Sequence, residues 1–179
     1  MAEGLSAAVI AVSGAVAVGI ISTFIGEDFK RFRSGSVLAA GLAGELSSYV
    51  PALPILKKIL ADQKACIASG NRSTMRFRPI ETPRDLIYEA NIANLGMLGA
   101  ALVERVVGVY GNIRAFRMAL NIITESHADM DDVELSERLG RCSDALERAG
   151  ADGDDLLSAL HARSTMRFRD RLAATLRAD

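Results

Sequence analysis

The sequence predicts an all-α protein: an N-terminal transmembrane helix followed by a cytoplasmic helical bundle that ends in an antiparallel helical hairpin. Three observations predict it. Half of the 179 residues are hydrophobic, yet only 5% are aromatic and there is no Trp. The apolar content is therefore mostly Ala, Val, Leu and Ile, which suits helices better than a β-sandwich. Residues 5–26 contain no charge at all. Beyond residue 82, apolar side chains recur at spacings of three and four, and no segment alternates as a strand does. Four regions follow: an anchor with a basic flank (1–33), membrane-proximal amphipathic helices (34–64), a linker (65–81) and a helical bundle with the acidic hairpin (82–179).

The first element is the stretch Leu5–Gly26, 22 residues whose polar members are Ser6, Ser13, Ser22, Thr23 and three glycines. As a helix it spans about 33 Å, enough for a hydrocarbon layer of about 30 Å. Lys30, Arg31 and Arg33 follow as a basic flank at the membrane surface, whereas Met1–Gly4 carries no Lys or Arg. The positive-inside rule then places the N-terminus outside and the remainder in the cytoplasm. A cleaved signal peptide would need the basic residues that Met1–Gly4 lacks. A buried core helix rich in Ala and Gly is the other alternative. Gly14 and Gly19, with their neighbouring alanines, would let a second span approach closely; the plainer reading is that small residues are common in any such helix.

Val37–Leu56 is uncharged but for Glu45, and Pro51 and Pro54 break its end. A helix from Ser36 to Tyr49 sets Leu38, Leu42, Leu46 and Tyr49 on one side, as for a helix on a membrane surface or against a partner. A second span would bury Glu45 in lipid, which disfavours it. Lys57, Lys58 and Lys64 extend the basic front, where anionic lipid would attract them; a solvated helix face is an equally strong reading of the three.

Gly70-Asn71 and Pro79 mark residues 65–81 as a connection. Thr82-Pro83-Arg84-Asp85 reads as a helix start, with Thr82 as N-cap, and the helix is expected to reach Thr124, bent near Gly108 and Gly111. Asp129, Asp131 and Asp132 precede a helix over 131–149, in which Leu135, Leu139, Cys142, Leu146 and Ala149 form a seam of 4-3-4-3 spacing. Gly150 is the expected C-cap and Gly153-Asp154 the turn. A last helix over 154–176, with Leu157, Leu160, Phe168, Leu172 and Leu176 inward, would complete the hairpin.

Charge is segregated. The net charge of -1 conceals a basic front over 1–78, an acidic block over 121–160 and a basic tail over 161–179. A near-neutral total excludes a generally basic nucleic-acid coat protein. One heptapeptide occurs twice: Arg72-Ser-Thr-Met-Arg-Phe-Arg78 and Arg163-Ser-Thr-Met-Arg-Phe-Arg169. Its flanks differ, so it is no solenoid repeat. Three arginines around a Met and a Phe suit anionic lipid or nucleic acid; solvated arginines on an amphipathic turn are the plainer reading.

Recognisable catalytic chemistry is missing. His127 and His161 lie in no zinc-binding pattern. Cys142 falls on the apolar seam, and Cys66 has no partner base. The acidic runs 129–134 and 152–155 lack the ligand spacing of a calcium loop, and capping explains them. There is no GxxxxGK[ST] and no GxGxxG. The expectation is thus a non-enzymatic, membrane-tethered interaction or scaffold module with no catalytic, metal or cofactor residues. Its partners would be membrane lipid, a protein and a second copy of itself; no small-molecule substrate is inferred. The alternatives are a holin-like or channel-forming protein with two spans, and a soluble enzyme with a buried N-terminal helix.

The segment Asp85-Leu-Ile-Tyr-Glu-Ala-Asn-Ile-Ala-Asn-Leu-Gly-Met-Leu98, with Val-Val-Gly-Val-Tyr110 after it, resembles a pattern in small bacterial membrane-anchored helical proteins of unknown function. Tyr88, Gly96, Leu98 and Tyr110 carry the likeness, which covers about 30 residues. It implies a bacterial inner-membrane location and no activity.

Overall fold

Helix α1 runs without interruption over Ala2–Tyr49, 48 residues or about 72 Å. The computed structural model describes residues 2–77 and 85–178, and the side chains of 23–77 and 85–173. The boundary expected at residue 33 is therefore no break in the chain. Ser34, Gly35 and Ser36 stay helical because Gly35 is needed there for packing, not for a turn. A Cβ at Gly35 would collide with the carbonyl oxygen of Met97 and lie 2.7 Å from Arg163 Nη2. The prolines act where the sequence puts them. Pro51 sits in a 3₁₀ turn over Val50–Ala52, and Pro54 in the first turn of α2, Leu53–Ala68, where a missing N–H costs nothing.

Leu38, Leu42 and Leu46 are buried together with Ala39 and Ala43. The predicted stripe is real, but it faces the bundle, so residues 34–49 are an inner wall of the fold. Among the described residues no helix is long and apolar enough to cross a membrane. The span expected over Leu5–Gly26 lies outside the residues with described side chains, except for its last four.

The expected helix start at Thr82 also lies outside the described residues. From Asp85 the chain forms α3, Leu86–Ala90, a 3₁₀ segment over Ile92–Leu98 and then α4, Ala100–Ser126. The single long helix predicted here is thus divided, and the division falls before Gly108 and Gly111. Gly99 supplies it with φ of 91°, a backbone conformation open to glycine and strained for other residues. It redirects the chain from the 3₁₀ segment, which lies on α1, into α4.

Helix α5 spans Asp132–Thr165, 34 residues. Asp131 caps it as expected, accepting a hydrogen bond from the Glu134 amide at 2.7 Å. The hairpin predicted within 131–176 is not formed: Gly150 and Gly153 are interior residues of α5. The physical reason is the seam, which continues past both. Leu135, Leu139, Cys142, Leu146 and Ala149 are buried, and so are Leu156, Leu160 and Arg163, extending the same 4-3 spacing with Gly153 at one register position. Packing along 34 residues outweighs the roughly 1 kcal/mol cost of each helical glycine. The helical hairpin of this protein lies one element earlier, where α4 and α5 pack through the turn at 127–131. A final helix, α6, covers Phe168–Ala178.

The core has two apolar clusters. One joins Leu38–Leu46 of α1, Tyr88, Leu95 and Leu98 to Val106–Tyr110 of α4 and to Leu156 and Leu160 of α5. The other joins Leu60 and Met75 to Phe116–Ile123 of α4 and Leu135–Leu146 of α5. The stretch of α5 between them is Ala149, Gly150 and Gly153, where little side-chain volume is available.

Candidate functional site

Three features stand out as more than packing: a buried polar cluster, an apolar cleft and a cationic end of the molecule. The polar cluster holds the irregular segment 85–98 against α1. Glu45, the one charge of an apolar stretch, accepts hydrogen bonds from the amides of Ile87 at 2.8 Å and Tyr88 at 3.2 Å and from the Tyr110 hydroxyl at 2.7 Å. It thereby satisfies amides at the start of α3, which has no side-chain cap of its own. The Tyr88 and Tyr110 rings stack 4.1 Å apart at 9°. Asp85, read from sequence as part of a helix start, is 1% exposed. Its carboxyl accepts from Arg117 Nη1 at 2.8 and 2.9 Å and from the Tyr49 hydroxyl at 2.9 Å.

Burial and the Asp85 hydrogen bond push the Tyr49 phenol up to about 12. Burial and Glu45 push Tyr110 far above the ordinary phenol range. Both hydroxyls are thus held protonated as donors. Every named group of the cluster is engaged with another, so the arrangement braces the fold. The signal available in the sequence was Glu45 itself: a charge inside an apolar helix needs a partner.

Beside this cluster lies a cleft of about 310 Å³ between the end of α1, α2, α4 and α5. Its walls are apolar, among them Leu46, Leu53, Ile113, Phe116 and Leu157, and Gly150 and Gly153 form part of it. Its polar lining is Tyr49, Arg117, Asn121 and Asp154. Such a surface receives apolar groups. Nothing in the sequence pattern shows it, because its walls come from four distant elements.

The sequence-predicted Lys30, Arg31 and Arg33 are all exposed on α1. They are joined there by the second heptapeptide, which lies along α1. Arg163 donates to Ser36 Oγ at 2.8 Å and to the Phe32 carbonyl at 3.2 Å, with its guanidinium 4.4 Å from the Phe32 ring centre. Phe168 packs on Phe29 and Phe32 at 5.3 and 5.4 Å. The first copy docks in the same manner elsewhere. Arg72 donates to the carbonyls of His127 and Met130 and pairs with Asp132 at 2.9 Å, and Phe77 lies on the His127 ring at 4.6 Å. In both copies Arg-Ser-Thr closes a helical turn and the Met is extended, with φ, ψ of -63°, 139° at Met75 and -58°, 141° at Met166. The two copies thus share a local pattern of an arginine on backbone carbonyls, an extended Met and a Phe on a ring, but Met75 is buried whereas Met166 is 42% exposed and Phe168 opens α6.

His161 is exposed. Cys142 is buried, which pushes its thiol up to about 11, and Cys66 is half-buried. Among the described residues no group of three or more His, Cys, Asp or Glu could hold a metal ion. No protein-family model, curated protein or solved structure matches the chain.

Proposed function

We propose that this chain is a non-enzymatic, membrane-tethered interaction module of a bacterial inner membrane, with its N-terminus outside and its helical bundle in the cytoplasm. The observation that carries the reading is the continuity of α1. One helix contains both the uncharged stretch Leu5–Gly26 and the core-forming stretch Leu38–Leu46. A span embedded in lipid would therefore be rigidly joined to the bundle. Phe24 and Ile25, at the end of the uncharged stretch, are 72% and 54% exposed, as lipid-facing residues of such a span would be. The cleft between α2, α4 and α5 is the surface offered to an apolar segment of a protein partner.

The test is extraction of membranes from cells making the full chain. The expected outcome is retention through high salt and alkaline carbonate and release by detergent. Recovery in the supernatant without detergent would overturn the reading.

A further inference from the structure

Cationic side chains converge around α1 just beyond its uncharged stretch. Successive helical residues are about 100° apart. Phe168 covers the Phe32 side of α1, so Arg31 and Arg33 project about 100° to either side of it and Lys30 points away from it. Arg167 and Arg169 flank Phe168 on the docked arm and are exposed. We infer that the Arg163–Arg169 copy completes a cationic collar around α1 that seats the bundle on anionic lipid headgroups, an inference that rests on the anchor reading above.

Position and charge both fit this surface. Lys30–Arg33 lie four to seven residues beyond Gly26, about 6–10 Å along the helix, which is the depth of a headgroup layer next to a span ending there. Lys30 pairs with Glu27 and Arg169 with Asp170, whereas Arg31, Arg33 and Arg167 form no ion pair among the described residues. The arm also carries exposed apolar side chains, Met166 at 42% and Leu172 at 41%, suited to the boundary between headgroup and acyl chain. Beside α1 a groove of about 580 Å³ places Lys30 and Arg33 next to Val37, Ile87 and Met97, cations beside an apolar wall. The first copy is a built-in control. Arg72 meets the start of α5 and Arg163 lies in its last turn, so the copies are separated by about 45 Å of helix.

The chain has no Trp, so a single introduced Trp reports its own surroundings. Met166→Trp in the full chain is reconstituted into vesicles of phosphatidylcholine, alone or mixed with phosphatidylglycerol, and quenched with brominated lipid. Val133→Trp, 70% exposed at the far end of α5, is the reference. The expected result is strong quenching at Met166→Trp in the anionic vesicles, weakened by salt. Adding Arg167→Glu and Arg169→Glu abolishes it, each residue being worth about fivefold in docking. Arg76→Glu, the matching position of the first copy, leaves it unchanged. A carbonate-resistant chain whose Met166→Trp is quenched no more than Val133→Trp overturns the collar alone, as does quenching that is equal in neutral vesicles. A chain that is neither carbonate-resistant nor quenched overturns the collar and the anchor together.

Discussion

At the scale of single residues, the polar cluster sets stability. Asp85 and Arg117 are a mostly buried pair, with side chains 2% and 19% exposed. Removing one partner leaves the other desolvated without compensation. Arg117→Ala is expected to cost about 3–5 kcal/mol, measured by urea denaturation, while Arg141→Ala, whose 3.9 Å pair with Glu137 is exposed, should change stability by about 0.5 kcal/mol or less. The pH dependence has a definite sign. Tyr49 and Cys142 titrate higher in the fold than their ordinary values of 10.0 and 9.0, at about 12 and about 11, and Tyr110 is raised as well. The folded chain therefore holds more protons than the unfolded chain above pH 9. Their contribution is complete below pH 9 and is lost as pH rises through 11 and 12, so the urea midpoint should fall across that window. Tyr110→Phe should flatten the fall while lowering stability at pH 7.

At the scale of elements, glycines of one residue type do opposite things. Gly35→Ala should destabilise strongly, because the added methyl meets a backbone carbonyl and a buried arginine. Gly153→Ala should stabilise by about 0.5–1 kcal/mol, because its Cβ would meet nothing within 4 Å and alanine is the better helix former. Thermal melts of both variants check this pair. A loss of stability in Gly153→Ala would restore the hairpin that the sequence suggests. The α5 seam was legible, residue by residue, from Leu135 to Ala149. Its continuation through Leu156 and Leu160 was legible too, but Gly150, Gly153 and the neighbouring aspartates look locally like a cap and a turn. Conversely, nothing distinguishes Gly99 from Gly108 in sequence. Only its contact partners, the 3₁₀ segment against α1 on one side and α4 on the other, make it the bend.

At the scale of the whole molecule, the cleft divides the core, but α4 and α5 run through both clusters. The two halves should therefore unfold together. Cys142 is fully buried in one cluster and Cys66 is half-buried at its edge. In a thiol-labelling experiment across urea, Cys66 should react in the folded chain and Cys142 only along the global loss of helical signal. Cys142 labelling at lower urea would mean that the clusters open separately.

Local pattern is enough to specify the all-helical class, the apolar faces of α1 and α5, the proline-marked end of α1 and the aspartate cap of α5, and to show that familiar catalytic motifs are missing. These follow from periodicity and local hydrogen bonding, which neighbouring residues specify. The tertiary structure alone decided that residues 37–56 line a core, that Glu45 caps a distant helix, that Asp85 pairs with Arg117, that α5 passes through its glycines and that one heptapeptide copy lies against α1 beside its basic flank. Each of those outcomes depends on a partner 30 or more residues away or on burial summed over a whole helix. Local preferences of about 1 kcal/mol do not decide between such alternatives.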